Sequence, residues 1–355
     1  NINMAYTDID DPSAYFQTTL YTGNGASSHA ITHGGNSDLN ADWVWIKSRS
    51  IVKDHNINDS VRGVLKALHT NDSDSESTGT DYLSAFNSNG FTVGSQSPIN
   101  TNGATYASWN WKAGTSFTND ASGTGIGTID SAGSVNQDAG FSIVSWTGTG
   151  SAGTIKHGLS TTPSMIIIKN RSSAYDWTVG HNSLGWTNVV FLNLNTASQG
   201  DTQFNNTAPT SSVFSIGTPL MANKSGDSII AYCFADVKGY SKVSGSYVGN
   251  GNADGTFIYT GFKPAFVMVK NSTASSTSWE IYDNKRDGFN NQNRRLFPNL
   301  SDAEPSAQDR LAILSNGFKI LTSASHLGSS GATYIYMAFA ENPFVTSTGV
   351  PATAR

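Results

Sequence analysis

Residues 246–273 read SYVGNGNADGTFIYTGFKPAFVMVKNST, and this stretch decides the fold. It sets Asn250, Asn252 and Asp254 at alternate positions before Gly255, which is close to the start of a calcium loop. The first loop position is Asn where Asp belongs, and the twelfth, where a bidentate Glu belongs, is Gly261. The stretch also has two siblings. LYTGNGASSHAITHGG from Leu20 and SWTGTGSAGTIKHGL from Ser145 show the same aromatic, G-x-G and short strand, without the ligands. The G-x-G is therefore a recurring turn, and Asn and Asp stand in it because they tolerate turn dihedrals.

Three further landmarks recur in the same order. DWVWIKSRS, SMIIIKNRS and AFVMVKNST are apolar runs closed by Lys47, Lys169 and Lys270. SNGFTVG, SSVFSIG and SNGFKIL centre on Phe91, Phe214 and Phe318, and GATYASWNW, GDSIIAYCF and GATYIYMAF follow them. Lys47 and Lys169 are 122 residues apart, and Lys169 and Lys270 are 101 apart. The sequence predicts an all-β chain of three diverged copies of a β-sandwich or jelly-roll-like unit, each about 100 residues and about six strands.

The lysine-closed run is apolar without alternation, as in a strand covered on both faces, so it belongs mid-sheet. Its lysine is expected at the strand end with the ammonium in water. The last strand alternates, with Ala107, Trp109 and Trp111, Ile230, Tyr232 and Phe234, and Ile335, Met337 and Phe339 facing inward, between the two sheets of each unit. SVRGVLKALH from Ser60 is interrupted by Gly63 and reads as a strand entry or one short turn. The expected organisation is an N-terminal region and first unit over 1–114, a Gly/Ser-rich linker or hairpin over 115–140, a second unit over 141–243, a third over 244–345 and a tail over 346–355.

Composition narrows the function. The chain has 355 residues, a net charge of −5 and 13% charged residues, so a nucleic-acid partner is not expected. Its one cysteine, Cys233, excludes an intrachain disulfide framework. No run of 18 apolar residues points to membrane insertion, and residues 1–20 lack the basic start and apolar core of a secretory signal.

The ordered motifs DPSAYFQTTLYTGNG, GFSIVSWTGTG, IIIKNRS, YSKVSGSYVGNGNADGTFIYTGFKPAFVMVK and GATYIYMAFAENPF resemble a family of virion proteins from marine tailed bacteriophages. The resemblance runs from about Asp11 to Phe344. It implies a structural protein exposed on the virion, of tail-fibre, appendage or receptor-binding type, that contacts the host surface. It supplies no catalytic residues. A capsid decoration protein is the alternative, and a glycan depolymerase a more distant one. The partners implied are other virion subunits and a host-surface glycan or protein, with a homo-oligomer, a trimer first, as the assembly. Heptads and short β-helix repeats, which a fibre shaft would carry, do not occur.

Candidate chemistry is sparse. His29 and His33 lie four apart, but on a strand and turn rather than a helix, so no zinc site is expected. Glutamates are few, and Glu280 and Asp283 fall on opposite faces of one strand, so an enzyme is not expected and no cofactor is assigned. Cys233 aligns with Asn110 and Ala338 and reads as packing. The loop DNKRDGFNNQNRRL gathers Lys285, Arg286, Arg294 and Arg295, which could meet an acidic surface, against the plainer reading of arginines paired with Asp283, Asp287 and Asp302. Tyr175 and Trp186 are the aromatic contact candidates, whereas Trp177 aligns with Trp279 and reads as core.

Overall fold

The computed structural model describes residues 6–305 and 310–353. The fold is all-β, with several antiparallel sheets and helical segments of three or four residues. A first main sheet orders its strands Phe16–Thr22, Thr105–Trp111, Trp43–Ser48 and Asn56–Asp59. A second main sheet contains the same order in Phe141–Thr147, Ser228–Phe234, Met165–Asn170 and Thr178–His181. A third has it again in Ser246–Val248, Thr333–Pro343, Phe262–Asn271 and Glu280–Asp283. Segment 115–140 holds strands Thr115–Asn119 and Ser131–Asn136, which pair with each other and extend the second sheet beside Phe141–Thr147. Residues 60–69 form turns and the short strand Lys66–Ala67.

Each main sheet faces a smaller ladder. His29–Ile31, Gly90–Val93 and Leu83–Asn87 cover the first, Gly153–Lys156 and Val213–Ile216 the second, and Phe257–Tyr259, Gly317–Ile320 and Leu311–Leu314 the third. Val44, Ile46 and Tyr106 pack on Ile31, Phe91 and Val93, and Ile166, Ile168 and Cys233 pack on Ile155, Phe214 and Ile216. Every residue of the three lysine-closed strands is buried, as their continuous apolar pattern predicts.

Two expectations are corrected. The last-strand aromatics do not lie inside separate sandwiches. Trp109, Trp111, Tyr232, Phe234 and Phe339 turn to the other face and form one core shared by all three main sheets. Trp43 stacks on Tyr232 at 4.6 Å, Trp111 meets Phe339 at 5.5 Å, and Phe234 meets Phe339 at 6.0 Å. Each such buried ring contributes about 2–3 kcal/mol relative to exposure. The lysines also do not reach water, because other parts of the chain cap the strand ends. Lys47, Lys169 and Lys270 are fully buried. Lys47 donates to the carbonyls of Ser48 and Ser301, Lys169 to those of Ser73 and Tyr175, and Lys270 to those of Asn271 and Thr277. Burial pulls each ammonium down to about 8.

The three sheets close on one another through matching contacts. Trp177 Nε1 donates to the His69 carbonyl at 2.8 Å, and Trp279 Nε1 to the Phe191 carbonyl at 2.9 Å. His55, at the corresponding place in the first sheet, faces the backbone of Phe297. The amides of Glu76, Ser198 and Glu304 likewise donate to the carbonyls of Arg171, Ser272 and Arg49, each at 2.8 Å. The second sheet thus leans on the first, the third on the second and the first on the third.

Candidate functional site

The basic loop folds largely inward. Arg286 has a side chain with no exposed surface, and it donates to Asp283 Oδ2 at 2.5 Å, to Glu304 at 3.1 Å and to the Ile281 carbonyl. Arg62 repeats this arrangement with Asp59, Glu76 and the Ile57 carbonyl. Arg294, with 45% of its side chain exposed, pairs with Asp287 and Glu304, and Arg295 lies 3.3 Å from Glu280 and over the Phe297 ring. Glu304, rather than Asp302, is the anion that gathers Arg286 and Arg294, and Arg49 joins it at 2.9 Å. Glu76 joins Arg62 to Arg171 in the same way. These guanidiniums hold both carboxyls below their usual range against the opposing effect of burial.

Trp186 is also not a surface contact. It is 4% exposed and meets Phe204 edge-on at 5.1 Å, because the turn after residues 182–184 folds its ring under the second sheet. Tyr175 is half-buried with Lys224 over its ring, and Lys285 is exposed. Glu280 is fully buried, takes a 2.6 Å bond from the Tyr282 hydroxyl and lies among Arg295 and His326. Asp283 is 1% exposed. Neither carboxylate can meet a polymer.

The histidines at the repeated turn serve packing. His33 Nδ1 shares a proton with the Thr19 hydroxyl, and His157 Nδ1 accepts from the Leu159 amide as the Thr260 hydroxyl accepts from the Phe262 amide. Burial lowers His33 and His157 to about 4, so both are neutral. Cys233 is buried and its thiol is pushed up to about 12. In the calcium-like loop, Asn250 accepts from the Asn252 amide and Asn252 from the Asp254 amide, while Asp254 pairs with Lys319. Of the side chains that resembled ligands, Asn250 and Asn252 are spent on turn bonds and Asp254 on an ion pair.

Two of the concave surfaces among the described residues carry buried polar or exposed aromatic groups that a ligand could meet. A cleft of about 610 Å³ lies where the edge strand Phe16–Thr22 meets the third sheet, lined by Thr18, Thr19, Asn36, Asn284, Lys285 and Asn342. Thr18 Oγ1 and Asn284 Oδ1 are buried there without a hydrogen-bond partner. Glu341 also lines it and pairs with Lys263 at 3.4 Å. A second depression, of about 460 Å³, lies between Tyr6 and Tyr259, with Asp236, Lys238 and Lys242 at its edge. Tyr6 is 54% exposed and Tyr259 57%. Phe257, on the same face of strand Phe257–Tyr259, is 45% exposed. This strand carries an outward aromatic face, whereas the aligned residues Ala30 and Thr32, and Thr154 and Lys156, are not aromatic.

The chain matches, over residues 11–343, the family described as "Domain of unknown function (DUF7483)". It belongs to that family. No curated protein and no solved structure matches it. Nothing about activity or ligand is therefore inherited by this DUF7483 chain, and its chemistry rests on its own side chains. Sequence reasoning missed the Tyr6–Tyr259 surface, although strict alternation in FIY, with Ile258 inward, carried the signal. It also missed an ungapped landmark, HTNDSDSE, FLNLNTAS and FPNLSDAE, at 69–76, 191–198 and 297–304. Its Asn71, Asn193 and Asn299 accept from the amides of His55, Trp177 and Trp279.

Proposed function

We propose that the chain is a tailed-bacteriophage virion protein of tail-fibre, appendage or receptor-binding type. It is built from three diverged β-sandwich copies closed into a ring, and it contacts a glycan or protein on the host surface. The observation that carries the adhesion reading is the outward aromatic face of Tyr259 and Phe257 beside Tyr6. Aromatic faces left in water around a depression suit stacking on a sugar ring or burial against a protein, and the nearby Lys238, Lys242 and Asp236 supply polar contacts. The sequence resemblance to virion proteins supports the setting, and the closed ring gives the rigidity an exposed particle protein needs. A homotrimer in the virion, beside other subunits, is the assembly this reading carries forward.

One observation favours the decoration alternative. Phe289 stands 85% exposed on the basic loop, and an apolar ring so placed fits a contact with a neighbouring capsid subunit. Cryo-electron microscopy of the intact particle separates the two. The adhesin reading expects the protein on the tail with Tyr6 and Tyr259 facing outward; a flat lattice on the capsid with those rings covered would replace it. In a host-cell binding assay, Tyr6→Ala/Tyr259→Ala is expected to lose most binding with an unchanged melting temperature.

A further inference from the structure

In the landmark shared by the three sheets, the first copy departs from the residue common to the other two at positions 69, 72 and 75, and the first two of these matter here. Where the second and third sheets carry Phe191 with Leu194 and Phe297 with Leu300, the first carries His69 with Asp72. Both replacements turn an apolar group into a metal-ligating one. Both point to a third such group, Asp54, whose counterpart Asp176 in the second sheet is held by Asn193 as Asp54 is held by Asn71. One imidazole nitrogen and two carboxylate oxygens, from Asp54, His69 and Asp72, come within 4.8 Å of one another. His69 Nδ1 is 3.6 Å from Asp54 Oδ2 and 3.8 Å from Asp72 Oδ2. These separations lie beyond hydrogen-bond reach. They are close to the edge of about 3.4 Å that three ligands share around a tetrahedral cation bound at about 2.1 Å.

The surroundings agree with a shared cation. Asn71 Nδ2 bonds Asp54 Oδ1 at 2.8 Å and the Asp74 amide bonds Asp72 Oδ1 at 3.0 Å, so each carboxylate keeps its other oxygen toward His69. His69 presents Nδ1 to both carboxylates, while its other ring nitrogen, Nε2, is buried without the acceptor that a metal-bound imidazole usually has. The imidazole is thus placed by packing and by the bond that its own carbonyl accepts from Trp177, not by a bond of its own ring. Lys169, the cation beside Asp72 and Asp74, spends its ammonium on the Ser73 and Tyr175 carbonyls.

We infer that Asp54, His69 and Asp72 form a binding site for a divalent transition cation of the zinc class at the junction of the first and second sheets. The mixed nitrogen and oxygen donors select against magnesium and calcium, which take oxygen ligands. Three protein ligands leave at least one position to water. The cation would clip the loop from His69 to Glu76 onto the strand end at Asp54, and so tighten the junction that Glu76 and Arg171 hold by an ion pair.

The test titrates the purified full chain with Co²⁺, followed by its visible d–d absorption, and with Zn²⁺ by calorimetry and thermal melting. The comparison variants are His69→Phe and Asp72→Leu, which install the residues the other two sheets already fold with. The expected result is one equivalent bound by the wild type, a higher melting temperature with zinc, and affinity at least about 100-fold weaker in either variant. Variants that melt like the metal-free wild type, with that loss, support the site. No stoichiometric binding by the wild type, or equal binding by His69→Phe, overturns it.

Discussion

The Tyr232 hydroxyl donates to Asp59 Oδ2 at 2.7 Å, both groups buried and 173 residues apart in the chain. Trp109 Nε1 makes the matching bond to Asp283 Oδ2 at 3.0 Å, and His181, the corresponding residue of the second sheet, faces the Tyr336 backbone. Asp59 and Asp283, each at the end of a fourth strand, are thus bonded by the last strand of another sheet. Tyr232→Phe and Trp109→Phe are each expected to lower the unfolding free energy by about 1–3 kcal/mol, because each removes a donor to a buried carboxylate. Urea unfolding measures this, and an unchanged midpoint in both would deny the bonds a part in closure.

The ion-pair hubs predict an asymmetry among the three junctions. Glu304 holds Arg49, Arg286 and Arg294, and Arg286 is fully buried. Glu304→Ala is therefore expected to cost about 3–5 kcal/mol, since a buried guanidinium loses a partner. Ser198→Ala, at the corresponding place in the second sheet, is expected to stay within about 0.5 kcal/mol because the backbone bond to Ser272 survives. Denaturant midpoints of the two variants give the contrast directly.

Alkaline pH reports the buried lysines. Lys270 has its folded value lowered to about 8 from 10.5, so between these values the unfolded chain binds more protons and stability rises with pH. Lys270→Met cannot titrate. The free-energy gap between wild type and this variant should shift toward the wild type by about 1 kcal/mol per pH unit from pH 8 to 10. A gap that does not move would mean that the ammonium keeps its proton in the fold.

Acid reports the buried histidines, with a trend of the same sign. His33, His157 and His181 are lowered to about 4 from 6.5, so as pH falls between these values the unfolded chain takes up the extra protons and stability is lost. His157→Gln should lose about 2 kcal/mol less than the wild type between pH 7 and 5. Chemical denaturation at the two pH values measures it; equal losses would place the acid sensitivity elsewhere.

The shared core predicts that the parts do not stand alone. A fragment of residues 141–243 would expose Phe141, Ile143, Tyr232 and Phe234, which pack on Trp43 and Phe339 in the whole chain. It is expected to be aggregated or loosely ordered, with poor dispersion in its NMR spectrum. A well-dispersed monomeric spectrum would show that the second sheet and its small ladder suffice.

Local pattern determined the strands. Four-residue apolar runs closed by Lys47, Lys169 and Lys270 had to be central, since a strand without alternation needs cover on both faces. The recurrence of G-x-G at 23–25, 148–150 and 249–251 marks a turn rather than a calcium loop. Alternation in the last strands also fixed which residues share a face. Which partner that face meets is not a local property. Trp109 and Trp111 would satisfy a private sandwich as well as a common core, and only tertiary packing turns them toward Asp283 and Phe339. The same holds for charge. A lysine at a strand end reaches water unless another segment covers it, and the segments at Ser73 and Ser301 that cover Lys169 and Lys47 lie 96 and 254 residues away. Arg286 read as a surface cation because its partner Glu304 lies 18 residues away, across a loop whose path no periodicity specifies. Sequence periodicity set the strands and their faces, while desolvation and pairing across distant segments decided what those faces and charges do.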